Sequence, residues 1–291
     1  MTRAVVFRSA ASTPTTALAS GRRAGTALVA LAALALLAGC ATSPTGRSQF
    51  IAVSDAQMDQ LGATSFERMK QSDKLSRDVR KQAAARCVVD ALKRGLPPSA
   101  QRTAWEVQVF EDASPNAFAL PGGKVGVNTG MWTVARSQDE LAAVLAHELA
   151  HVIARHAAER VSQQMAAGVA LEAAQAYSGA RTSPENTRML MGALGLGAQV
   201  GVMLPFSRAH ETEADVLGQR IMAEAGFDPE GAVRLWQGMI ANAGSSGRPP
   251  QILSTHPDPQ NRIAALQARV AELRPVAEQA RADGRRPACR M

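Results

Sequence analysis

The 291-residue chain predicts an α+β fold, mostly helical, with one small β-sheet packed beside a helix that carries His147-Glu148-Leu149-Ala150-His151. Three observations lead there. Aromatic residues make up only 4% of a chain rich in alanine. Long stretches keep a helical period, and an alternating period appears between Trp105 and Asn128, just before the histidine pair. Two histidines four apart on a helix are separated by about 40° around its axis, so both imidazoles leave one face and can hold one small cation. Glu148, about 100° further round than His147, flanks that face and can reach an attacking water as general base.

The first 39 residues read as an address. Arg3, Arg8, Arg22 and Arg23 are their only charges, and the apolar run from Ala27 to Ala38 is short for a bilayer span but suits a signal-peptide core. Leu37-Ala38-Gly39-Cys40 resembles the lipobox of bacterial lipoproteins, which makes Cys40 the acylated N-terminus and residues 40–53 a tether; a signal anchor that stays in place is the rival reading. Taking the four leader arginines from a net charge of +7 leaves +3. Part of that lies in a basic tail over 276–291, and so modest an excess gives no case for nucleic acid. About 250 remaining residues suffice for one large domain. In an oxidising compartment Cys87 and Cys289 can pair and fasten the tail; a buried Cys87 and a free Cys289 are the alternative.

Ser54 and Gln57 form a capping box opening a helix through about Lys70. A second helix is expected from Ser76 to Arg94, with Val79, Ala83, Val88 and Leu92 as its apolar stripe, stopped by Gly95 and Pro97-Pro98. Trp105, Val107 and Val109 share one face of a strand, and Ala117–Leu120 turns through Pro121-Gly122-Gly123 into the return strand Lys124–Asn128. The edge at Asn116, Ala117, Phe118 and Ala119 either aligns an extended peptide or merely covers the helix. Ser137 and Glu140 cap the histidine helix, expected to run to about Gln164 with Leu141, Val144, Leu145, Val152 and Ile153 buried. His156 then falls about 180° from His147, as a structural or surface residue rather than a ligand.

A hydrolytic metal site needs three protein ligands and one open position. Ala154 and Ala157 stand where the metzincin pattern requires glycine and histidine, which excludes that class. The stretch from Ser207 to Asp215 offers another solution: Glu211 and Asp215 lie four apart on one helical face, Glu211 as third ligand and Asp215 as acceptor from a ligand histidine. Glu213 points elsewhere. Met189–Leu204 is uncharged but interrupted by four glycines, and reads as a buried or lid-like helix rather than a span. Beyond Gly226, Asp228-Pro229 starts a helix to about Ala241 with Trp236 in the core. The last helix is expected from Pro259 to about Leu273. On the loop before it His256 can stabilise an oxyanion or occupy the water site, with Arg262 a second oxyanion candidate.

Leu145-Ala146-His147-Glu148-Leu149-Ala150-His151, Ser207-Arg208 and Glu211-x-x-x-Asp215 together resemble the gluzincin metallopeptidase family of HtpX and the CaaX prenyl-protein endopeptidases, in its bacterial periplasmic lipoprotein branch. The likeness covers roughly residues 50–275, including Ser114–Gly123 and Ser254-Thr255-His256-Pro257. It implies a zincin-like domain over 54–275, one Zn2+ per chain, and endopeptidase activity on unfolded or misfolded envelope proteins. An outer-membrane protein assembly factor with gated proteolysis is the alternative function, with the assembly machinery as partner. The resemblance also implies a lipid anchor facing the periplasm. Ala41 after Cys40, in place of a retaining aspartate, favours the outer membrane over the inner.

Overall fold

A computed structural model describes residues 40–178, 207–246, 256 and 259–291. Its elements are β1 (Cys40–Thr42), β2 (Ser48–Phe50), α1 (Asp55–Ser72), α2 (Val79–Leu92), β3 (Glu106–Phe110), β4 (Ala117–Leu120), β5 (Lys124–Asn128), α3 (Gln138–Ile153), α4 (His156–Ser178), α5 (Arg208–Glu224), α6 (Gly231–Ser246) and α7 (Pro259–Ala282). The leader over 1–39 and the helix expected over Met189–Leu204 lie outside the described residues. Among the described residues no helix is long and apolar enough to cross a membrane.

Helix starts follow local chemistry. The Ser54–Gln57 box forms in both directions and opens α1. The start of α2 is later than expected, because the Asp78 carboxylate accepts the N–H groups of Arg80 and Lys81 and becomes the N-cap. Val79 is therefore 77% exposed, Ala83 is exposed too, and the buried stripe consists of Ala84, Ala85, Val88, Val89, Ala91 and Leu92. Ser137 caps α3 by accepting from Glu140 N–H, but the Glu140 carboxylate accepts from Arg136 N–H, so this cap is one-sided.

In the sheet β5 is central, parallel to β3 and antiparallel to β4, so the expected hairpin is β4–β5. Alternation along β4 sends Ala117 and Ala119 to the face that meets the main core. Phe118 and Leu120 go to the other, where they pack with Phe66 of α1 and Phe110. Phe118 lies opposite Gly126, and a Cβ there would run into its ring; only glycine lets the aromatic cross the central strand.

The core is organised around α3. One buried face was expected, yet every residue from Leu141 to His151 is buried, because α2, α5, α6 and the sheet pack on different sides of the helix. Its closest neighbour is α5. A Cβ on Gly218 would stand 2.9 Å from both N and Cα of His147, so the two helix backbones almost touch beside the first histidine.

Other boundaries also differ from expectation. The histidine helix stops at Ile153, and Arg155 adopts φ 58°, a left-handed backbone that redirects the chain into α4. Residues 41–50 are no loose tether: β1 and β2 form a two-stranded sheet, Gln49 donates to Ala154 O, and Arg47 binds Glu159 and Glu213. The last helix continues through Pro275 to Ala282 with Ala277 and Ala280 buried, and a disulfide joins Cys289 to Cys87. Ala41–Met291 therefore packs as one unit with no separate tail.

Gly218→Ala should lower the unfolding free energy by about 1–3 kcal/mol, the usual cost of overpacking a tight contact, measured by urea denaturation. A parent-like midpoint would show that the helices can separate freely at this point.

Candidate metal centre

Every donor in the centre comes from α3, α5 or the segment preceding α7. His147 and His151 leave the same face of α3, and their Nε2 atoms converge to 3.0 Å. From α5, the Glu211 carboxylate reaches across the Gly218 contact to stand 3.5 Å from both nitrogens. His256 completes the group: its Nδ1 is 2.9 Å from each Glu211 oxygen and 3.3 Å from His147 Nε2. One donor atom from each of these four buried residues falls within 4.8 Å of all the others, a set able to hold a cation.

Glu148 borders the group. Among the described residues its Oε1 has no hydrogen-bond partner, and it faces His256 Nε2 at 3.5 Å. Burial pushes its carboxyl above the usual range, opposed by His256, His147 and the backbone N–H of Ala119. That N–H ties the β4 edge to the carboxylate. Of the expected peptide-aligning residues, Ala119 thus reaches the centre through its backbone. Phe118 commits its ring to the aromatic cluster, Ala117 is buried in the core, and Asn116 accepts from Asn128 N–H through its carbonyl.

Asp215 and Arg262 hold the donors in place. Asp215 Oδ1 lies 3.1 Å from His147 Nδ1, fixing the ring with Nε2 towards the group. Arg262, on α7 as expected, donates Nε and Nη2 to the two Asp215 oxygens and Nη1 to Glu211. Its guanidinium also lies 4.0 Å above the Trp236 ring. Through those bonds Arg262 holds the acidic residues in place, with Nη2 3.2 Å from His147 Nδ1. Burial alone would raise Glu211, but hydrogen bonds from His147 and His256 hold it well below the carboxylate range. Burial and Arg262 act to lower His147, yet Asp215 and Glu211 outweigh them and bring it to about 9. His151 is pushed below its ordinary value by burial and by His147, which keeps it in the form that binds a cation.

Several residues were missed or misplaced at the sequence level. The turn at Arg155 brings His156 back against the site, fully buried, with Nδ1 2.8 Å from His151 Nδ1. The 180° placement assumed an unbroken helix. Glu213 does point away from the donors, as expected, but binds His156, Thr45 and Arg47. Glu159 accepts from Arg47 and lies 3.0 Å from His210 Nε2. The only hint in the sequence is the run of charged and imidazole groups after His151, with no sign of what Arg47 meets.

Burial would raise the Glu213 carboxyl, but hydrogen bonds from Ser43, Thr45, His156 and Arg47 hold it at about 2. A carboxylate depressed on folding contributes stability above its unfolded value near 4.5, and that stability is lost as pH falls towards 2. Glu213→Gln should therefore be less stable than the parent at pH 7 and approach it below about pH 3, read from urea midpoints across that range. A pH-independent gap would contradict this origin.

Comparison with known proteins gives a consistent assignment. The chain is 40% identical over 163 residues to the mitochondrial metalloendopeptidase OMA1 of Schizosaccharomyces pombe, covering 56% of this chain and 46% of that one. It is 35% identical over 181 residues to OMA1 of Saccharomyces cerevisiae, covering 60% and 50%. It is 33% identical over 170 residues to the beta-barrel assembly-enhancing protease of Escherichia coli, covering 58% and 35%. The chain thus spans half or less of the length of these curated relatives. Residues 76–270, more than half of the chain and including the whole donor set, match peptidase family M48. With an α+β zincin-like fold around a buried His/Glu cluster, the chain belongs to peptidase family M48.

Proposed function

We propose that this protein is a zinc-dependent endopeptidase of the bacterial envelope, lipid-anchored through Cys40 and hydrolysing unfolded or damaged proteins on the periplasmic side, more readily at the outer than the inner membrane. The observation that carries the chemistry is the convergence of His147, His151, Glu211 and His256 beside the buried Glu148 carboxylate. Bonds of about 2.0–2.1 Å to a tetrahedral zinc place donors roughly 3.3–3.4 Å apart, which the separations of 3.0 to 3.5 Å among His147, His151 and Glu211 fit.

In this reading His147, His151 and Glu211 would hold zinc, with His256 beside them at rest. When bound, the ion acidifies water and polarises the scissile carbonyl. Glu148 removes a proton from the attacking water and returns it to the leaving amine. The carboxylate is suited to both steps because burial raises its pKa, bringing the acid form within reach. Asp215 and Arg262 keep His147 and Glu211 from rotating. An extended substrate adds to the β4 edge, whose main-chain groups recognise backbone and so demand little of sequence, in keeping with unfolded clients. The envelope placement is supported by the leader and the Leu37–Cys40 stretch, together with the name of the Escherichia coli relative.

A second reading, an assembly factor for outer-membrane proteins with gated proteolysis, is favoured by one observation. His256 lies among the donors with its other nitrogen towards Glu148, where a substrate carbonyl and water would have to come. Proteolysis then requires the His256 side chain to leave that position.

Degradation of an unfolded protein such as reduced casein by the full chain should stop on chelation and return with zinc. Glu148→Gln should cut the rate by at least about 10²–10⁴ at unchanged zinc content. Equal cleavage by parent and variant would remove Glu148 as the base. Zinc retention with no cleavage by either, together with stable client complexes, would favour the assembly reading.

A further inference from the structure

Behind the donor set lies a second buried cluster that the hydrolytic reading does not use. His156 and His210 stack with ring centroids 4.4 Å apart. His156 Nε2 lies 3.1 Å from Glu213 Oε2, and His210 Nε2 lies 3.0 Å from Glu159 Oε2. Arg47 joins the two acids, donating Nε to Glu213 and both terminal nitrogens to Glu159. Thr45 donates to Glu213, while Gln49 donates to Glu159 and to Ala154 O at the end of α3. The segment from Ser43 to Gln49 thus closes over the turn between α3 and α4.

The proton order in this cluster is set from its charged end. Glu213 accepts, so His156 presents Nε2–H to it and keeps Nδ1 as an acceptor. His151 then donates Nδ1–H to His156 across 2.8 Å, which leaves Nε2 as the lone-pair nitrogen facing His147 and Glu211. Asp215 does the same for His147 from the opposite side.

We infer that His156 is the positioning residue for ligand His151, and that Arg47, through Glu213, locks it in place, so that the segment next to Cys40 helps set the metal affinity of the catalytic domain. The inference rests on the reading of the donor group as a zinc site. Arg47 touches no donor, so its effect on the metal travels through the cluster: by Glu213 to His156 and by Glu159 to His210, which stacks on His156, and from His156 to His151.

The test is zinc affinity of the full-length protein, measured by competition with a chromophoric chelator, alongside circular dichroism and melting of the zinc-free form. His156→Phe should weaken zinc binding about 10- to 100-fold. His156→Asn, whose amide oxygen can replace Nδ1 as acceptor, should recover most of that loss. Arg47→Ala, at a partly exposed side chain, should weaken binding several-fold, and the Arg47→Ala/His156→Phe double variant should be no worse than His156→Phe alone. Zinc affinities within twofold of the parent for both single variants would overturn the inference, as would a double variant whose loss is the product of the single losses. If zinc-free His156→Phe does not fold, the Arg47→Ala affinity decides on the same twofold criterion. Failure of the unsubstituted protein to bind zinc would instead remove the zinc reading itself, and this inference with it.

Discussion

The approach of α5 to α3 at Gly218 is the contact on which the rest of the site depends. His147 and His151 project from one helix and Glu211 from the other, so the local closure of the two backbones sets where the carboxylate stands relative to the imidazoles. A glycine facing His147 N and Cα permits that closure. The enclosure of α3 by α2, α6 and the sheet then prevents the histidine helix from turning or sliding away. Rigid support of this kind matters for a metal site because misplaced donors lose binding with every fraction of an ångström.

So many ionisable groups could not be buried together without pairing, since an isolated charge in a protein interior costs several kcal/mol. The structure answers with two arginines on opposite sides of the histidine pair. Arg262 clamps Asp215 and Glu211, and Arg47 clamps Glu213 and Glu159. In each case the guanidinium matches its carboxylates with several donors at once, a geometry that lysine could not reproduce. The pairing also sets polarity: each carboxylate next to an arginine remains an acceptor, and that fixes which imidazole nitrogen faces the donors.

Both ends of the described chain take part in the domain. The segment after Cys40 packs over the α3–α4 turn. The last residues return to the start of α3, where Gln138 donates to Pro287 O and accepts from Cys289 N–H, beside the disulfide to Cys87. One helix is therefore secured at its N-terminal end by the C-terminal residues and at its C-terminal end by the N-terminal ones.

The sequence by itself determined the features that depend on spacing within one element. The pair His147 and His151, Glu148 between them, and Glu211 with Asp215 follow from helical geometry, while the β4–β5 hairpin follows from alternation and a Pro-Gly-Gly turn. What the sequence could not determine depends on groups distant in the chain, or on backbone states without a local marker. Arg155 takes a left-handed conformation although it is not glycine, so the period continues smoothly through a real break and misplaces His156. The pairing of Arg262 with Asp215 and Glu211 had no local marker, because those partners lie some fifty residues earlier. Arg47 sits in a stretch of composition that suits a linker, and only the folded chain supplies the acids it binds. Local patterns record the periodicity of one helix or strand; the pairing of buried charges is a property of how those elements pack, and tertiary structure alone decided it.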